Sequence, residues 1–138
     1  MANYECATRT NYFHVKDEDA FRKFAEKICC SEDAIDVWEK DDNGKKVFAF
    51  GGFGEIMGLN NAEDDCSYDE FLKELQEHIA EDDAVIILES GKEKLRYITG
   101  YATVVTSSES KFANIADIAI DIAKKALNNQ NWSTDISY

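Results

Sequence analysis

Proline is absent from this chain, and histidine occurs only at His14 and His78. Without proline, turns fall to glycine, asparagine and aspartate. Two imidazoles leave little scope for a nucleophile activated by a neighbouring base. No apolar run approaches the ~20 residues that a bilayer-crossing helix needs. The start, Met1-Ala2-Asn3-Tyr4-Glu5, has neither the basic residues nor the apolar core of a signal peptide, so a cytoplasmic location is expected. The four cysteines form no C-x-x-C pair. Cys29 and Cys30 are adjacent, and Cys6 and Cys66 stand far from them, which suits reduced thiols better than a zinc site or a structural crosslink. The glycines of Gly51-Gly52-Phe53-Gly54 fit neither G-x-G-x-x-G nor a phosphate loop, and they read as a bend or bulge in a strand.

Bases are also scarce, and unevenly so. Between Glu55 and Glu89 there are twelve acidic side chains and one base, Lys73; outside that stretch sixteen acids face fourteen bases. Nearly all of the net charge of -13 is therefore local. Such a surface repels phosphate, which argues against direct binding to nucleic acid or to anionic lipid, and it attracts a basic protein.

At 138 residues, rich in apolar and aromatic side chains, the chain fits one α+β domain, 1–138. Residues 7–15 have strand character. Asp17 is an N-cap for a helix over 18–29, with Phe21, Phe24, Ala25 and Ile28 at helical spacing. Strands over 34–40 and 45–53 flank Asn43-Gly44, a hairpin turn signal. A loop over 57–66 leads to Ser67-Tyr68-Asp69-Glu70, a capping box that opens a helix over 68–80. A short strand over 84–89, a turn at Ser90-Gly91-Lys92 and a strand over 94–106 follow, with a bulge expected at Gly100 and Lys92, Lys94 and Arg96 sharing a face. A last helix spans about 110–127, and Trp132, Ile136 and Tyr138 dock the tail. The order β-α-β-β-α-β-β-α predicts a ferredoxin-like split β-α-β fold, a mainly antiparallel sheet with an extra C-terminal helix.

On the acidic helix, Glu70, Glu74, Glu77 and Glu81 are spaced four, three and four apart and share the face opposite the core. The row carries one charge per ~5.5 Å, sparser than the ~3.4 Å phosphate spacing of a DNA strand. Glu63, Asp64 and Asp65 before it and Asp82 and Asp83 after it thicken the field at both ends. These nine residues are the expected contacts for a basic partner. No metal site is expected, since the EF-hand pattern is absent, and no cofactor or catalytic residue is expected either.

The stretches Arg9-Thr10-Asn11-Tyr12-Phe13 and Glu93-Lys94-Leu95-Arg96-Tyr97-Ile98-Thr99-Gly100-Tyr101-Ala102 resemble those of small, uncharacterised acidic proteins carried by mobile elements of Gram-positive bacteria. That resemblance brings no catalytic residue with it and implies a setting of phage, plasmid or conjugative transfer. By analogy, and not from the residues themselves, small acidic proteins in that setting often resemble inhibitors of host defence nucleases, some of which mimic DNA. The leading expectation is a non-enzymatic binding protein for a basic, nucleic-acid-handling partner. The alternatives are a self-associating accessory module whose acidity serves solubility, with Tyr12, Phe13, Tyr97 and Tyr101 as contacts, and a cysteine-dependent enzyme.

Overall fold

The computed structural model describes residues 4–60 and 67–136. It has nine strands and three helices among them: β1 (Glu5–Thr10), β2 (Phe13–His14), α1 (Glu18–Ala25), β3 (Ile28–Cys30), β4 (Asp36–Asp42), β5 (Lys45–Phe53), β6 (Ile56–Leu59), α2 (Tyr68–His78), β7 (Val85–Glu93), β8 (Tyr97–Val105), β9 (Ser110–Asn114) and α3 (Ile115–Ala126). The fold is α+β, and all strand pairings are antiparallel.

Seven strands form one sheet. β5 lies between β4 on one side and β1 with β2 on the other; β7, β8 and β9 follow outward from β1. Ala7 faces Phe53 and Phe13 faces Phe48, so the register on β5 shifts by one residue between β1 and β2. The strand predicted over 7–15 is thus one line broken by a bulge near Asn11, whose side chain reaches across to the backbone of Ala84 and Ile86. β4 and β5 meet at Asn43 and Gly44, both at positive φ (53° and 88°), as a tight hairpin turn requires.

Both α1 and α2 pack on one face of this sheet. Phe50 of β5 meets Phe21 of α1 at 6.4 Å and Phe71 of α2 edge-on at 6.1 Å. Phe13, Phe24, Phe48, Leu75, Ile79, Val85, Ile87 and Val105 belong to the same core. Each helix begins where its capping residue predicts. The Asp17 carboxylate accepts the Ala20 N–H at 3.1 Å, and the Ser67 hydroxyl accepts the Glu70 N–H at 3.3 Å.

Several boundaries differ from expectation, for tertiary reasons. α1 stops at Ala25, because Ile28–Cys30 pairs with β6 in a separate two-stranded sheet; the predicted loop over 57–66 therefore starts with a strand. No turn forms at Ser90-Gly91-Lys92. β7 runs on to Glu93, and the reversal falls at Lys94, which sits at positive φ. Lys92, Lys94 and Arg96 consequently do not share one strand face. Gly100 keeps regular register opposite Ser90 and forms no bulge; its missing side chain leaves room for Ile115. Gly51 likewise stays in register, opposite Arg9. Residues 110–114, predicted as the start of a helix, are strand β9, because the free edge of β8 accepts them. Phe13, an expected contact residue, is fully buried. Tyr138 and Cys66 lie outside the described residues.

Candidate functional site: an acidic helix and the groove beside it

Amphipathic spacing turns α2 so that Phe71 and Leu75 enter the core, which leaves Asp69, Glu70, Lys73 and Glu77 exposed. Glu74 is half-buried, and its carboxylate pairs with Lys27 at 3.3 Å. Glu81 does not belong to the helix, which ends at His78. It stands exposed with Asp82 in the following turn, and Asp82 lines a cleft together with Lys16, Lys45 and Lys46. Glu63, Asp64 and Asp65 lie outside the described residues. Of the nine expected contacts, Glu70, Glu77, Glu81 and Asp82 therefore present exposed carboxylates, and Glu74 and Asp83 are engaged within the fold.

Asp83 has a structural task. Its Oδ2 accepts the backbone N–H of His14 at 2.7 Å and lies 2.9 Å from His14 Nδ1, and its Oδ1 accepts the N–H of Ala84 at 2.8 Å. Partial burial pushes this carboxyl up, but the hydrogen bonds from His14 and Ala84 outweigh it and hold the group below its ordinary value. The same contact raises His14, whose Nε2 also lies 3.1 Å from Asp42.

The two acids that bound the acidic stretch, Glu55 and Glu89, line a common groove that sequence reasoning did not anticipate. The groove runs along the sheet beside α2, and Thr8 and Ile87 at its base are buried. Its floor is β1, β7 and β8 through Thr8, Ile87, Glu89, Tyr101 and Thr103. Tyr68 at the start of α2 and Met57 of β6 form one wall, and Phe112 of β9 forms the other. The cleft holds about 450 Å³ and continues into a second of about 360 Å³ between Tyr4, Glu93 and Tyr97. Tyr97, Thr99 and Tyr101, alternate residues of β8, line this second cleft.

Tyr4 crosses this surface directly over Gly91. Its hydroxyl donates to Glu89 Oε2 at 2.8 Å and lies 2.7 Å from Thr99 Oγ1. A Cβ on Gly91 would stand 2.7 Å from that hydroxyl and 2.5 Å from the Cys6 Cβ, so only glycine fits. Burial raises the Tyr4 and Tyr68 hydroxyls, with the Glu89 charge adding to both. Burial, followed by Glu89 and Glu55, pushes the Cys6 thiol up to about 11. Cys6 is therefore no thiolate nucleophile at neutral pH. His78 lies against Phe24 at 4.9 Å, and burial lowers it below its ordinary value, which favours the neutral imidazole.

Among the described residues, no group of three or more His, Cys, Asp or Glu is placed to hold a metal ion, and no helix is long and apolar enough to cross a membrane. Comparison with protein-family models, with curated proteins and with solved structures returns no match.

Proposed function

We propose that this chain is a non-enzymatic binding protein that engages a basic surface of a protein partner through α2 and the turn after it. The observation that carries this reading is the cluster of exposed carboxylates Asp69, Glu70, Glu77, Glu81 and Asp82, with Lys73 the single base on the helix. Charge complementarity of this kind accelerates encounter and selects against acidic partners. The partner's basic surface is one that holds nucleic acid, and a host nuclease met by a mobile element in the cytoplasm is its sharpest form. The engagement of Glu74 by Lys27 thins the row further than its spacing does, and that of Asp83 by His14 thins the cluster after it. The carboxylates thus act as a local docking surface more than as a replica of a duplex. The central order β4-β5-β1-β7, with both helices on one face, supports reading the core as a split β-α-β unit of ferredoxin-like type, widened by β8 and β9.

The test is capture of host proteins on the immobilised chain, with and without Glu70→Lys, Glu74→Lys and Glu77→Lys together. The wild type is expected to retain a basic protein and to displace DNA from it. Equal retention by the reversed form, with an unchanged melting curve, would refute the reading.

A second reading, self-association, is favoured by α3. This helix buries no residue, and Ile115, Ile118 and Ile122 form a stripe that is 62%, 49% and 63% exposed. Its acids, Asp117 and Asp121, precede its bases, Lys124 and Lys125. Two copies packed antiparallel along the stripe would set acids beside bases, whereas a parallel pair would set like against like.

A further inference from the structure

We infer that the groove between α2 and the β7–β8–β9 hairpins is a receptor for an arginine side chain presented on a peptide segment of the partner. This rests on the reading that the partner is basic, and it names the subsite that would hold one of its side chains.

The chemistry of the lining selects the ligand. Glu55, Glu89 and Glu93 supply carboxylates, Tyr68, Tyr101 and Phe112 supply aromatic rings, and no Lys, Arg or His is among the described residues that line either cleft. Carboxylates between aromatic faces are the pairing that a planar guanidinium satisfies, because it forks to one and stacks on the other. An anionic ligand would meet an unbalanced negative field. The same field contributes to keeping Tyr4, Cys6 and Tyr68 in their neutral forms. Phe112 is 64% exposed, with its ring 5.5 Å from that of Tyr101, so this aromatic wall is not consumed by the core. At about 450 Å³ the cleft also falls within the usual range for small-ligand sites, ~300–1,000 Å³.

The test is a titration of the full chain with acetyl-Gly-Arg-Gly-amide, followed by backbone amide shifts. The same peptide with citrulline, a neutral isostere of arginine, and free agmatine serve as controls. The arginine peptide is expected to saturate and to shift the amides of Glu89, Tyr101 and Phe112. Citrulline is expected to bind about 10-fold more weakly or less, since charge-assisted pairing and cation–π attraction are both lost. Phe112→Ala, at an exposed site, and Glu55→Gln are each expected to weaken the arginine peptide several-fold without altering the melting curve. Equal affinity for arginine and citrulline, shifts confined to another surface, or tighter binding of agmatine than of the peptide would each overturn the inference. The triple reversal Glu70→Lys, Glu74→Lys and Glu77→Lys is expected to leave the preference for arginine over citrulline intact, because none of the three lines either cleft. A failed groove and a failed acidic helix would thus give separate results.

Discussion

Single residues decide which acids are available. Asp83 reads in the sequence as one more carboxylate in an acidic turn, yet it clips β2 to the start of β7 by bonding His14, whose partnership across 69 positions no local pattern announces. Glu74 sits correctly in its helical row, but Lys27, which engages it, is equally invisible to spacing. The Asp83 contact has a defined pH window. His14 is raised, so its contribution is complete below its ordinary pKa of 6.5 and fades as pH rises through the higher folded value. Asp83 is lowered, so its contribution is complete above its ordinary 3.8 and fades as pH falls through the lower folded value. Asp83→Ala is expected to bring the His14 titration, followed by its ring proton shifts, down towards 6.5. It is also expected to cost about 1–3 kcal/mol in denaturant melts, since the backbone N–H groups of His14 and Ala84 lose their acceptor. An unchanged His14 titration would contradict the geometry.

At the scale of elements, local signals were strong where they were self-contained. The caps of α1 and α2 and the Asn43-Gly44 hairpin need no distant partner, and each falls where the sequence puts it. Elements that exist only through pairing were misread. Ser110–Asn114 carries the same apolar spacing as the helix after it and becomes a strand because β8 offers an open edge. Gly91 resembles a turn glycine and is instead a flat spot under Tyr4. Gly91→Ala is expected to displace Tyr4 and to destabilise by about 1–3 kcal/mol in denaturant melts, the usual cost of an overpacked site. Wild-type stability would show that Tyr4 is not held there. For α3, sedimentation of Ile118→Glu tests the antiparallel pair. The wild type is expected to sediment as a dimer and the variant as a monomer of unchanged stability; a wild-type monomer would remove the second reading.

Across the whole molecule, the described acids between Glu55 and Glu89 fall into two features. One is an exposed carboxylate surface on α2 and its following turn, part of which is already neutralised internally. The other is a groove whose walls and floor come from β1, β6, α2, β7, β8 and β9, and in which the two bounding acids meet. The first was legible because it lies on one continuous segment, a helix and the turn after it. The second was not, since its residues are assembled only by sheet order. Exposed charges of this kind weaken as salt rises, because separations beyond a Debye length are screened. The most direct measurement is the salt dependence of the dissociation constant for the captured basic partner, for the wild type and for Glu70→Gln with Glu77→Gln. A steep loss of affinity with salt is expected for the wild type, with a weaker complex and a shallower slope for the variant. An affinity insensitive to salt, or identical slopes for the two proteins, would contradict an acidic docking surface on α2.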